Sequence, residues 1–390
     1  MSEWREYKLG DIISTNNQSI SFDYPFKEIV YLDTGSITKG KIQGFQNYQL
    51  SESPSRAKRL VKQNDIIYST VRPIQRHFGF IDKPKENLVV STGFTVVETN
   101  WIMADPKFIY FYLIADEIVE YLDLIAEGST SAYPSIRPFD IENLNILLPP
   151  LPEQKAIAAV LSSLDDKIDL LHSQNKTLEA LAETLFRQWF IEEAQDDWEE
   201  KKLSDMAEHI KVNVKPSSNP TSIYYHYSIP AYDDNKMPKQ EFGNEILSNK
   251  YEVFPNTIMV SKLNPRFPRI WAISDRIKTN SICSTEFQIF KPKQEVYYPF
   301  LYFLLKSDEA KVEMEMAASG TSGSHQRVKP SDILNISFTI PSNNKFEKFS
   351  DFTNSLLQKI EKNKNQMVLI EKLRDTLLPK LMSGEVRVQM

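Results

Sequence analysis

The chain has 390 residues, 41% of them hydrophobic and 11% aromatic, with a net charge of −6 and a pI near 5.6. At about 100–200 residues per domain this makes two or three domains with ordinary packed cores. No apolar run approaches the roughly 18 residues that cross a bilayer. The N-terminal MSEWREYKLGDI shows no signal-peptide pattern, and the single cysteine, Cys283, excludes an intrachain disulfide, so a reducing, cytoplasmic setting is expected. The acidic balance excludes a simple basic DNA-binding module of pI above about 9. It leaves room for local basic stretches that face DNA while acidic faces point elsewhere.

In chain order, β-rich stretches come first, at 64–69 and 88–92, then a helix near 106–126, a Gly/Ser loop from Gly128 to Tyr133, and a strand near 144–148. Pro149-Pro150-Leu151-Pro152 is a stiff breaker that stops the preceding element and aims the chain. From Glu153 to about Phe190 there is neither Gly nor Pro. Apolar residues there fall at Ile157, Leu161, Leu164, Ile168, Leu171, Leu178, Ala182, Leu185 and Trp189, with Asn175 at one seam position. Alternating steps of four and three are the 3.5-residue repeat of a coiled coil.

The plan then repeats. Trp4-x-x-x-Lys8-Leu9-x-Asp11 returns as Trp198-x-x-x-Lys202-Leu203-x-Asp205, 194 residues on, and Ser91-Thr92-x-Phe94 as Ser284-Thr285-x-Phe287, 193 on. The offset settles at 192 for Gly128 and Gly320, Pro138 and Pro330, Asp140-Ile141 and Asp332-Ile333, and Pro149 and Pro341. Ordered matches with a drifting, then constant offset indicate an internal duplication. The second seam runs through Phe349, Thr353, Leu356, Ile360, Asn363, Met367, Ile370, Leu377 and Leu381, with Asn363 and Arg374 as polar interruptions.

Each helix is close to 60 Å long, at about 1.5 Å per residue, and needs a partner for its stripe; the other copy is the simplest one. Both orientations bury the seam. An antiparallel pair would put the globular domains at opposite ends, a parallel pair at one end. The seam asparagines fix register and orientation at some cost in stability, or else contact another subunit. Leu170, Leu181 and Phe186 widen the stripe and are expected to pack on other proteins.

No phosphate loop, G-x-G-x-x-G, nucleophile elbow or zinc spacing is present, and the five histidines are scattered. No catalytic residue, metal or cofactor is therefore expected. Asn264-Pro265-Arg266-Phe267 resembles the N-P-P-[YF] motif of DNA amino-methyltransferases but lacks a Gly-rich cofactor turn upstream, and Arg72-Pro73-Ile74 stands at the same place in the first half.

These residues resemble Type I restriction–modification specificity subunits over essentially the whole chain. The most specific piece is Leu147-Leu148-Pro149-Pro150-Leu151-Pro152-Glu153-Gln154-Lys155-Ala156-Ile157-Ala158. Ser91-Thr92-Gly93-Phe94 and the stretch from Gly320 to Val328, followed by Pro330-Ser331-Asp332-Ile333, add to it. Pro341-Ser342-Asn343-Asn344-Lys345 departs from the pattern by lacking Leu-Pro-Glu-Gln. The fold class expected is α/β (α+β): recognition domains at 1–150 and 193–342, and spacer helices at 151–192 and 343–390 forming an antiparallel coiled coil. The resemblance implies a non-catalytic subunit that reads a bipartite site on double-stranded DNA. It also implies docking of two methyltransferase subunits and, through them, of restriction subunits, with no membrane partner. The helices would act as a ruler, since two readers on a stiff bar fit only one separation and helical phase.

Base reading needs Arg, Lys, Asn or Gln on an element that fits a groove, and phosphates need cations or small donors. In the first domain the candidates are Arg56, Lys58, Arg59, Arg72, Gln75, Arg76 and His77, with Ser129, Thr130 and Tyr133 of the Gly/Ser loop. In the second they are Lys262, Asn264, Arg266 and Arg269, with Ser322, His325 and Gln326. A basic cluster taken alone reads more often as a solvated face; the duplication and the family resemblance favour DNA contact for the loops at 72–77 and 262–269. Two other functions stay open. A stand-alone N6-adenine methyltransferase would bind S-adenosylmethionine by itself, and a coiled-coil scaffold would retain no DNA sequence-specifically.

Overall fold

The computed structural model describes residues 4–129, 133–234, 236–318, 326–341 and 345–388, which divide into two compact units. One holds residues 1–169 and 367–390, the other 170–366, so each long helix is shared between them.

In the first unit, Arg5–Lys8 pairs antiparallel with Asn145–Leu148. One four-stranded sheet runs Gln46–Gln49, Glu28–Leu32, Leu88–Ser91, Ala57–Leu60, with its two central strands parallel. A second, antiparallel throughout, runs Ile13–Thr15, Phe94–Thr99, Ile66–Ser69, Phe78–Phe80. Ile66–Ser69 and Leu88–Ser91 are buried at every position, hence their unbroken apolar runs. Helices Pro106–Ile114 and Asp116–Glu127 put Phe108, Ile109, Leu113, Val119 and Leu122 into a core shared with Ile157 and Leu161 of the first long helix and Leu378 and Leu381 of the second.

The second unit repeats the plan. Glu199–Lys202 pairs with Ser337–Ile340; a four-stranded sheet runs Ala207–Ile210, Phe287–Pro292, Thr257–Ser261, Ile270–Ile273; a five-stranded sheet holds Ile223–Tyr227 parallel to Ser281–Cys283. Its core is aromatic: Phe300, Phe303, Phe346 and Phe349 gather around Phe186 and Phe190.

The first long helix, Leu151–Arg187, runs into a π-helical turn, Gln188–Glu192; the second spans Lys345–Ser383. Pro152 sits in the first turn of the helix, where its missing N–H costs nothing. The Glu-Gln of the first helix start has clear work. Gln154 is fully buried, accepts from the Asp105 N–H at 2.8 Å and donates to the carbonyls of Pro149 (2.8 Å) and Met103 (3.2 Å). Glu153, also buried, takes both arms of Arg387, whose guanidinium lies 5.5 Å from the Trp4 ring centre. In the second half Phe346 stands in place of Gln154 and fills the aromatic core, with Lys345 in place of Glu153. Lys345 pairs with Glu193 at 2.9 Å and lies 5.2 Å from the centre of the Trp198 ring. The missing Leu-Pro-Glu-Gln is thus a change from a polar anchor to an apolar one, with the sign of the ion pair reversed.

Each unit shows the helices antiparallel. In the first, Arg374 donates to Asp165 at 2.9 Å. In the second, the Asn363 amide donates to the Asn175 carbonyl at 2.8 Å. Asn363 is fully buried and its own Oδ1 has no partner among the described residues. Such a pair specifies register at a cost in stability. Replacing both asparagines by leucine should hold or raise the melting temperature. Asn363→Leu alone should lower it, because it strands the Asn175 amide. A single variant as stable as the double in thermal melts would remove the pairing role.

Candidate nucleic-acid interface

In the first domain the buried strand Ile66–Ser69 leads into a tightly held loop. The Ser69 hydroxyl donates to the Val71 carbonyl (3.1 Å) and accepts from the Val71 N–H (3.2 Å). Arg72 is left-handed, with φ 47° and ψ 71°, directly before Pro73, where a residue is normally driven to extended backbone. Its N–H donates to Pro134 O (3.0 Å), and its own carbonyl accepts from the Gln75 N–H (2.9 Å). Arg76 is left-handed too, at φ 58°, so two such residues bracket the single turn Pro73–Gln75. Asp123 clamps the turn by accepting from the Ile74 N–H at 3.1 Å. Beneath it, burial pushes the Tyr68 hydroxyl's pKa up, despite the nearby positive charge of Arg76, so Tyr68 stays neutral.

The second domain rebuilds this scaffold 192 residues on. The Val71–Ser135 bridge returns as Leu263–Arg327. Asn264 is left-handed at φ 49° before Pro265, its N–H donating to Gln326 O (3.0 Å) and its carbonyl accepting from the Phe267 N–H (2.9 Å). Ser69 N–H to His77 O (2.8 Å) has its counterpart in Ser261 N–H to Arg269 O (3.0 Å). Pro73 and Pro265 are both buried. The Asn-Pro of the methyltransferase-like motif is therefore this turn.

On this shared backbone the side chains differ. Arg72 and Gln75 are exposed, with the Arg72 guanidinium 5.8 Å from the centre of the exposed Tyr133 ring. In the second loop Arg266 and Phe267 are exposed, stacked at 5.7 Å. Other expected readers are held inside their domains. Arg76 donates to Asp116 at 2.7 Å, and the His77 Nδ1 lies 2.6 Å from the Ile37 carbonyl. Arg269 grips Asp233 with two hydrogen bonds at 2.7 and 2.8 Å, which raises its pKa further. These three have partners within their own domains, whereas Arg72, Gln75 and Tyr133 in one domain and Arg266 and Phe267 in the other are exposed. The clamping acids Asp116, Asp123 and Asp233 and the exposed Ile74 carry no sequence signal, because their partners lie 36 to 49 residues away.

Arg56, just before the strand Ala57–Leu60, and Lys58, within it, are exposed, whereas Arg59 is half-buried with its Nε unpartnered among the described residues. The Ser129 hydroxyl accepts from the Ser135 N–H at 3.3 Å. Lys262 and Gln326 are half-buried, and their backbones hold the second loop. Thr130, Ser322 and His325 lie outside the described residues. Of the three helix residues expected to face partners, Leu170 and Leu181 are 50% and 43% exposed. Phe186 differs: it is 4% exposed and belongs to the second unit's core, because the helix end docks into that aromatic cluster. Among the described residues no group of His, Cys, Asp and Glu could hold a metal ion, and no helix is long and apolar enough to cross a membrane.

The family model of the Type I restriction modification DNA specificity domain matches residues 1–180 and again 195–370. The Type I restriction enzyme HindI specificity subunit of Haemophilus influenzae is 36% identical over 193 residues, 49% of this chain and 42% of that protein, so the match spans less than half of that relative's length. The MjaIX specificity subunit of Methanocaldococcus jannaschii is 26% identical over 362 residues, 85% of this chain and 79% of that one. The crystal structure of a Type I restriction–modification S subunit from M. genitalium has a similar fold, with a TM-score of 0.61 at 17% identity, covering 100% of this chain and 97% of that one. Two copies of one family domain, laid over two copies of one loop scaffold, mean that this chain belongs to the Type I restriction–modification DNA specificity family.

Proposed function

We propose that the chain is the non-catalytic DNA-reading subunit of a cytoplasmic Type I restriction–modification complex. Each domain reads one half of a split site on double-stranded DNA, 72–77 in the first and 262–269 in the second. The helix pair sets the spacer and docks methyltransferase subunits, two of them on a duplicated frame, through which restriction subunits join. The observation that carries this reading is the repeated loop: one strained backbone, held by the same hydrogen bonds 192 residues apart, presenting Arg72 and Gln75 in one domain and Arg266 and Phe267 in the other. A rigid scaffold with exchangeable polar and aromatic side chains is what reading two different base sequences requires. The acidic overall charge fits if the cations are concentrated at the loops and the rest faces other subunits.

The test lengthens both helices together by one heptad, which keeps the seam in register. Seven residues add about 10.5 Å at 1.5 Å per residue, about three base pairs. Mapping methylated sites in cells that carry the lengthened chain with its methyltransferase should show both half-sites unchanged and the spacer about three base pairs longer. Altered half-site sequences with an unchanged spacer would refute the ruler.

A further inference from the structure

The two reading loops share a backbone, so the positions where their side chains differ bear on what each recognises. Arg72, exposed on the first loop, has Asn264 at its place in the second. A cation returns across the neighbouring bridge. Ser135 bridges to Val71 at the foot of the first loop, and at its place in the second domain Arg327 bridges to Leu263. The Arg327 side chain is 51% exposed. Its one hydrogen-bonding partner among the described residues is Glu286, which accepts from Nη2 at 3.4 Å. So long and exposed a pair holds the guanidinium weakly, and the other donors of its fork have no partner among the described residues. Arg269 of the same loop differs, because Asp233 takes it with two hydrogen bonds at 2.7 and 2.8 Å.

Glu286 also belongs to the second domain alone. It stands where the first domain has Gly93, in Ser284-Thr285-Glu286-Phe287 against Ser91-Thr92-Gly93-Phe94. A β-carbon on Gly93 would lie 2.9 Å from Thr34 Cγ2, so a side chain there would push into Thr34. The second domain keeps the turn itself. The Lys262 N–H donates to the Glu286 carbonyl (2.9 Å) as the Thr70 N–H donates to that of Gly93 (2.8 Å). The carboxylate therefore grows from a turn tied to the loop, and its second oxygen, Oε2, is buried with no partner among the described residues. Glutamate and arginine thus occur together at two positions where the first domain has glycine and serine. An acid that holds one edge of a guanidinium and leaves the rest of the fork open suits it to the O6 and N7 of a guanine, the commonest specific arginine contact in the major groove.

We propose that Arg327 reads a guanine of the second half-site and that Glu286 is the positioning residue that aims it. The guanidinium that the first domain carries at Arg72 has moved across the bridge in the second. This assignment rests on the DNA-reading function proposed above and adds to it a side chain that distinguishes one base.

The test uses the full-length chain with its methyltransferase partner and duplexes that carry the site found by methylation mapping. Each guanine of the second half-site, on either strand, is replaced in turn by 7-deazaguanine, which still pairs but lacks the N7 acceptor. At one guanine the unaltered chain should lose binding about tenfold or more. Arg327→Ala should bind the normal duplex more weakly by a similar factor and be indifferent to that replacement, with first half-site preferences unchanged. Glu286→Gln keeps the shape without the charge and should reduce sensitivity to the replacement; unchanged sensitivity would remove the positioning role. Arg327→Ala leaves the Glu286 carboxylate without its cation, so if it fails to fold, Arg327→Ala combined with Glu286→Gln takes its place. A second half-site without guanine, or full sensitivity at every guanine in Arg327→Ala, would overturn the proposal. So would an even loss of binding on all duplexes, the mark of a phosphate contact or a structural role. If the unaltered chain shows no half-site preference, the DNA-reading function itself fails. If it reads both half-sites and Arg327→Ala reads the second as before, only this assignment fails.

Discussion

Truncating Phe190 to alanine should cost the second unit about 3–5 kcal/mol, the largest loss expected from any single side chain in it. Phe190 is 5% exposed at the π-helical end of the first long helix. Its ring centre lies 4.9 Å from that of Phe300, 5.1 Å from Phe349, 5.2 Å from Phe346 and 5.6 Å from Phe186. Edge-on aromatic contacts add about 0.5–1.5 kcal/mol each beyond burial. The neighbours come from both long helices and the helix Tyr297–Lys306, so the hole cannot close by moving one element. Phe190→Leu keeps most of the volume and should cost less than about 1.5 kcal/mol. Denaturant unfolding of both variants measures the difference. A Phe190→Ala loss no greater than that of Phe190→Leu would mean that the cluster relaxes around the gap.

Arg72→Ala should relax one half-site and leave the other intact. A bidentate arginine contact to guanine is worth about 1–3 kcal/mol of discrimination, or about 5–150-fold between the right and wrong base. Arg72 is presented by a backbone fixed through Pro134 and Gln75, so removing its side chain should not redirect the loop. Arg266→Ala should affect the other half-site in the same manner. Arg76→Ala should weaken reading of the Arg72 half-site by a different route. It leaves Asp116 without its cation and frees the second left-handed residue of the turn, so binding falls without a clean base-specific signature. Binding of duplexes with single substitutions in each half, measured with the methyltransferase partner at one fixed salt concentration, separates these outcomes. Simultaneous change in both half-sites on Arg72→Ala would defeat the idea of independent readers.

Much of the fold was legible because duplication and periodicity are properties of spacing. The constant 192-residue offset proved to be an offset between hydrogen bonds, from the bridge at Val71 to that at Leu263. The heptad seam showed two helices in need of partners but left their direction open. Direction is set by polar pairs at the seam or beside it, Asp165 with Arg374 and Asn175 with Asn363, whose pairing depends on residues about 190 to 210 positions apart. The loops were legible as basic and proline-bearing. Which cations face outward was not, because Asp116 and Asp233 are brought to Arg76 and Arg269 only by folding. Phe186 misled for a related reason: a stripe wider than the seam can face either a partner or the chain's own core. Glu153-Gln154 was recognisable as a pattern before it had a physical meaning, which is to fasten a helix start to the domain beside it.

The reversed ion pairs at the helix ends bear on how the doubled gene can still vary. Glu153 meets Arg387 at one end, and Lys345 meets Glu193 at the other. By the 192-residue offset Gln195 stands where Arg387 is and Glu385 where Glu193 is, so two copies of the first half would leave Glu153 buried without its cation, while two copies of the second would still offer Lys345 a carboxylate. A buried carboxylate stripped of its cation is costly, so at this joint the second half could be doubled without an electrostatic penalty and the first half could not.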